Sequence, residues 1–157
     1  EQQMDYVRVT VDHEVRLSSE LSGKGILLSE NPLNERELDI YTGIVALCEA
    51  AHEGAKGFYS DPATGEPIEP NFGEKVSLMH SEQSEALESH RKGSRDDKLP
   101  HRNGVECEFG DTMIRIADTA KHRGHDLAGA IIEKMRFNAI RADHKPANRA
   151  ALGGKKY

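Results

Sequence analysis

Tryptophan is absent from this chain of 157 residues, aromatic residues make up 5% and hydrophobic residues 36% of it. Folding at that length can bury roughly 70% of the surface the unfolded chain exposes, so one copy alone would have a thin core and oligomerisation would repair the deficit. Cysteine is scarce: Cys48 and Cys107 are the only two. Each sits in an apolar-periodic segment and matches neither a disulfide framework nor a CxxC metal pair, which reads as reduced thiols in a cytoplasmic protein. No uncharged apolar run approaches the roughly 20 residues of a membrane span, and nothing at the N-terminus reads as a signal peptide. The expectation is a soluble, intracellular protein with no membrane partner. Basic charge is short as well, with 21 Lys and Arg against 27 Asp and Glu and a net charge of −6. That argues against a nucleic-acid polymer as partner, since phosphate neutralisation supplies most of such affinity. A small anionic substrate remains open if a bound cation reverses the local field.

What the chain does have is helix punctuation. Asn34 to Glu37, Asn71 to Glu74 and Asn103 to Glu106 each repeat Asn-x-x-Glu ahead of a helix-compatible run, the pattern of a capping box. Gly57, Gly93, Gly124 and Pro146 supply stops. Helices are predicted at about 35–56, 72–92, 104–123 and 127–142, with ends uncertain by roughly 2 to 4 residues. The fold class is therefore all-α with a four-helix core. Leu38, Tyr41, Val45, Cys48 and His52 on the first helix recur at helical spacing, as do Phe109, Met113, Ile116, Ala117 and Ala120 on the third, and both stripes read as core. The turn-rich loop Ser60 to Pro67 and the charged loop Ser94 to Pro100 are candidate mobile lids. Before the helices, Tyr6 to Val11 alternates as a strand would, and Gly23-Lys24-Gly25 can turn a short N-terminal β-hairpin.

Carboxylates carry the chemistry. Glu82 and Glu85 are three apart on the second helix, and Glu108 and Asp111 share that spacing on the third, so each pair projects from one helical face. Acidic residues on helices are usually a solvated surface. Two pairs on consecutive helices, however, concentrate four negative charges where antiparallel packing would bring them together, and these repel unless cations sit between them. A donor set of oxygen alone suits Mg²⁺, with Mn²⁺ as a substitute, rather than Zn²⁺.

The run Glu82-Gln83-Ser84-Glu85, then residues 86 to 107, then Glu108-Phe109-Gly110-Asp111 resembles the ExxE…ExxD signature of the MazG-like all-α nucleoside triphosphate pyrophosphohydrolases. Lys134, Asn138 and Arg141 on the fourth helix are similar to the K-x-x-x-N-x-x-R of that family. The resemblance covers roughly residues 35 to 145, leaving 1–33 as an N-terminal extension, 34–145 as the catalytic helical domain and 146–157 as a tail. Cys107 stands where many members carry a further Glu. The resemblance implies that Glu82, Glu85, Glu108 and Asp111 hold Mg²⁺ against a nucleoside triphosphate and that water attacks the α-phosphorus, releasing monophosphate and pyrophosphate. Glu85 is the preferred proton acceptor. Lys134, Asn138 and Arg141 are expected to hold phosphate or sugar oxygens, Phe58 to stack on the base, with His52 as an assistant or a core residue. A homo-oligomer is implied, a tetramer first and a dimer second. No P-loop is present, in keeping with attack away from the γ-phosphate.

Two other classes compete. A carboxylate-bridged di-iron bundle requires two Glu-x-x-His elements, and only Glu49 to His52 supplies one. A catalytically inactive nucleotide-binding or interaction bundle would be expected to have lost part of the carboxylate set, which is complete.

Overall fold

The computed structural model describes residues 21–152, and most of these are helical. Helix α1 spans Glu35–Ala55, α2 Phe72–Lys92, α3 Gly104–His122 and α4 Leu127–Ile140, followed by a short α5 at Pro146–Ala150. Three-ten turns follow α1 at Lys56–Tyr59 and α4 at Ala142–His144. The predicted starts hold at all four long helices; α4 ends before the expected 142, so Arg141 is the first residue beyond it. No strand forms among the described residues. Gly23 and Gly25 do turn, at φ 71° and 69°, held by Glu30, whose carboxylate accepts from the Ser22 hydroxyl at 2.7 Å and the Gly23 N–H at 2.9 Å. The strand expected over Tyr6 to Val11 lies outside the described residues. Among the described residues no helix is long and apolar enough to cross a membrane.

The three Asn caps work differently. At α1 the capping box is complete: the Glu37 N–H donates to Asn34 Oδ1 at 3.0 Å and the Asn34 N–H donates to Glu37 Oε2 at 3.1 Å. At α2 the Asn71 side chain accepts from the Glu74 N–H at 3.2 Å. At α3 the Asn103 side chain accepts from Val105 instead, at 2.9 Å, while Glu106 pairs outward with Arg102. Gly93 closes α2 in the left-handed conformation at φ 63°, where a side chain would be strained.

The chain divides into two compact units, one taking residues up to Tyr41 and from Ala128 onward, the other Thr42–Leu127. In the first, Ile26, Ala128 and Ile132 are buried. Arg136 organises it, donating to Glu37 at 2.7 and 2.8 Å and to the carbonyls of Ile26, Asn31 and Pro32 at 2.8 to 3.2 Å. One guanidinium thus ties the segment before α1 to α4, and Glu37 serves it and the cap together. The Arg136 hydrogen bonds are the main reason the Glu37 carboxyl falls from an ordinary value of 4.5 to about 2.

In the second unit α2 packs on α3. The contact is close where Gly104 meets Ser89, so nearly that a Cβ there would lie 2.7 Å from the Ser89 hydroxyl oxygen. Ala86 is buried on α2, and Ala117 and Ala120 are buried on α3. The predicted α3 core stripe is buried at one end only: Ala117 and Ala120 are buried as expected, but Phe109 and Met113 are 57% and 58% exposed. Phe109, Met113 and Ala120 lie within about 40° of one another around the helix, so position along α3, and not the face, separates the covered part of the stripe from the open part. Leu38 on α1 is likewise exposed, whereas Cys48 is buried. Both loops expected as lids are internally bonded. Asp61 accepts from the Ala63 and Thr64 N–H groups at 2.8 Å beneath a Ser60–Pro67 bridge, and Asp96 caps the N–H groups of Lys98 and Leu99 beside an Arg95–Asn103 bridge.

Two outcomes follow from this packing. Gly104→Ala should destabilise the protein by about 1–3 kcal/mol, as overpacking at an unyielding contact does, read from chemical denaturation. Glu37→Gln should lower the melting temperature at neutral pH. Since the folded-state pKa of Glu37 is depressed, its contribution is present above 4.5 and is lost as pH falls through about 2. Melting followed by circular dichroism should show the two proteins converging there.

Candidate functional site

Antiparallel packing in a seven-residue register sets the geometry of the α2–α3 groove. Lys75 and Glu82 are seven apart on α2, as are Asp111 and Asp118 on α3, a separation of about 10 Å along a helix with both members on one face. Lys75 meets Asp118 at one level and Glu82 meets Asp111 at another, with Glu85 and Glu108 one turn beyond.

At the acidic level, oxygens of Glu82, Glu108 and Asp111 lie within 4.8 Å of one another. Glu82 is 6% exposed: it lies in the interface, one turn from buried Ala86. Glu85 is exposed and outside this triad, yet its charge reaches Glu108. The Glu108 carboxyl is raised above its ordinary value by burial first, then by the charge of Glu85, the Glu82 hydrogen bond and charge, and Asp111. Compensation comes from Arg115, whose Nε donates to Glu82 Oε1 at 2.6 Å. Glu88 turns away to pair with Lys92 at 2.8 Å, as a solvated face does.

Asp118, on the floor of the second level, is 4% exposed and accepts three hydrogen bonds: His52 Nδ1 at 3.0 Å to one oxygen, Tyr59 at 2.7 Å and Lys75 at 2.9 Å to the other. Burial alone would raise its pKa, but the bonds from His52, Lys75 and Tyr59 outweigh this and hold the carboxyl below the ordinary range. Lys75 also donates to the Tyr59 hydroxyl at 3.0 Å, and Tyr59 stacks on His122 with centroids 4.1 Å apart. Burial pushes the Tyr59 phenol up. For Lys75 burial acts downward, but the bonds to Tyr59 and Asp118 prevail and keep the ammonium charged.

A pocket of about 520 Å³ opens along this groove, lined among others by Phe58, Glu74, Lys75, Asp111, Arg115 and Asp118. Phe58, 78% exposed, forms one wall from the three-ten turn after α1. Of the expected residues, Glu82, Glu108 and Asp111 are brought together, Glu85 stands next to them, and Phe58 shares the pocket with Asp111.

Lys134, Asn138 and Arg141 belong to the other compact unit. There Arg141 is held by Asp143 and reaches Asn138 Oδ1 at 3.4 Å, and Lys134 lies over the Phe137 ring at 5.4 Å. His52, expected as a helper or a core residue, is a buried carboxylate's partner. Glu49 pairs instead with Lys121 at 3.5 Å, so Glu49 and His52 do not converge as a di-iron ligand pair would.

Sequence reasoning missed Lys75, Arg115 and Asp118. The seven-residue step from Asp111 to Asp118 and back from Glu82 to Lys75 was the signal that could have found them. The chain matches no protein-family model, no curated protein and no solved structure.

Removing one charge from the repelling set should relieve it. Glu108→Gln is expected to leave the metal-free protein at neutral pH as stable as the wild type or more so, because a raised carboxyl pKa means that the ionised form opposes folding there. Thermal melting in chelator checks this; a clear loss of stability would assign Glu108 a structural bond instead.

Proposed function

We propose that this protein is a Mg²⁺-dependent nucleoside triphosphate pyrophosphohydrolase of the MazG-like all-α type. The observation that carries the reading is the convergence of Glu82, Glu108 and Asp111 at the edge of a pocket of about 520 Å³ whose wall includes an exposed aromatic ring. It supports an arrangement with triphosphate against the carboxylates and base against Phe58, in a domain whose four-helix core is part of the same reading.

The donor set fits a hard divalent cation. All the donors are carboxylate oxygens, burial and then their mutual repulsion lift the Glu108 pKa, and a cation between them would oppose that lift. Arg115 neutralises only part of the charge, through one oxygen of Glu82. Glu82, Glu85, Glu108 and Asp111 would hold the ion, which when bound supplies positive charge against the triphosphate and a water of lowered pKa.

The chain's own residues then divide the work. Glu85, exposed beside Glu108, accepts the proton of the attacking water. Attack falls on the α-phosphorus, the P–O bond to the β-phosphate breaks, and pyrophosphate leaves. Arg115, next to the carboxylates and lining the pocket, can offer its remaining N–H donors to phosphate oxygens.

Exposed Phe109 and Met113 on α3 support the homo-oligomer, a tetramer first and a dimer second, since a second copy could cover them. The alternative, a nucleotide-binding bundle without catalysis, uses the same pocket.

Asp111→Asn separates these readings. It keeps side-chain volume and removes one charge from the cluster, so monophosphate release from triphosphate in Mg²⁺ should fall by about 10²-fold or more while the metal-free melting temperature holds or rises. Near wild-type turnover would remove Asp111 from the site. Wild-type protein that binds triphosphate but releases no pyrophosphate would favour the inactive bundle.

A further inference from the structure

The far end of the pocket from the carboxylates is not apolar. It is a knot of three polar side chains with one donor to spare. A lysine ammonium has three protons; one of those on Lys75 goes to Asp118 and one to the Tyr59 hydroxyl. Both oxygens of Asp118 are occupied, by His52 on one and by Tyr59 and Lys75 on the other. The Tyr59 oxygen donates to Asp118 and accepts from Lys75. This end therefore presents a proton on a fixed cation. Glu74, the preceding residue and exposed at the same pocket, supplies a carboxylate acceptor beside it.

We infer that Lys75 and Glu74 read the lactam edge of an oxo nucleobase: Lys75 donates to the exocyclic carbonyl, Glu74 accepts from the adjacent ring N–H, and the ring packs on Phe58. Uracil, thymine, guanine and hypoxanthine carry that carbonyl beside a ring N–H. Cytosine and adenine place an exocyclic amine where the carbonyl would be, turning a donor toward the ammonium, and offer Glu74 no ring N–H. The seven-residue step from Lys75 to Glu82 separates this reader from the carboxylates by about 10 Å, a span that a sugar bridges between its base and its 5′-phosphates. Asp118 and Tyr59 are positioning residues here, since they hold the Lys75 ammonium in place. The inference rests on the proposed function for the triphosphate end of the ligand and on the Lys75 knot, Glu74 and Phe58 for the base.

The test has two arms. In the first, kcat/KM in Mg²⁺ is compared for UTP, GTP and ITP against CTP and ATP. The expected result is a preference for the oxo bases of about tenfold to a hundredfold, the worth of one hydrogen bond to a charged group, and its collapse in Lys75→Met. In the second, uridine and inosine are titrated against cytidine and adenosine by calorimetry in chelator, where the carboxylate cluster plays no part, and the same order is expected. The wild-type comparison needs no variant, so a Lys75→Met protein that fails to fold does not protect the idea. Turnover of all the triphosphates alike, or a preference that survives in folded Lys75→Met, overturns the base assignment and leaves the proposed function standing. Oxo-nucleoside preference in a protein that hydrolyses no triphosphate overturns the proposed function and leaves the base assignment standing.

Discussion

Close approach of α2 and α3 is the constraint on which the second unit depends. Gly104 admits Ser89, and Glu82 and Ala86 on α2 and Asp118 on α3 are buried. Helices this near leave no room for bulky residues between them and put any polar side chain on the facing surfaces within hydrogen-bonding distance of the partner helix. This closeness brings Arg115 onto Glu82 and Lys75 onto Asp118.

Register then turns one scaffold into two electrostatic environments. Seven residues bring a helix back to the same face, so the groove repeats its geometry about 10 Å further on with different side chains. At one level like charges meet, and the Glu108 carboxyl is lifted by burial and by its neighbours. At the other, opposite charges meet, and Asp118 is held ionised by three donors despite its burial. A cluster of carboxylates and a fixed ammonium are thereby set about 10 Å apart along a single groove.

The first unit is organised by a different device. Arg136 adds to the buried Ile26, Ala128 and Ile132 a fan of hydrogen bonds to three carbonyls and one carboxylate. Its partner Glu37 is already fixed by the capping box of α1, so little conformational freedom is left to lose when the pair forms. In a chain poor in aromatic and aliphatic side chains this is an economical way to order a segment without regular structure.

Local chemistry was legible in the sequence: Asn34, Asn71 and Asn103 mark helix starts because a short side-chain carbonyl satisfies backbone N–H groups within its own turn, and Gly93 marks an end because only a residue without a Cβ relaxes into φ 63°. The pairing of Glu82 with Glu85, and of Glu108 with Asp111, on single helical faces was equally local. Tertiary structure decided which face of each helix turns inward. Periodicity reads Phe109, Met113, Ala117 and Ala120 as one apolar stripe, of which only the Ala117–Ala120 end is buried, while the face of α3 that packs on α2 is the polar one carrying Gly104, Asp111, Arg115 and Asp118. Burial of Glu82, its arginine partner and the Lys75–Asp118 knot all follow from that choice, and a contact between residues as far apart as His52 and Asp118 leaves no trace in the spacing of either helix.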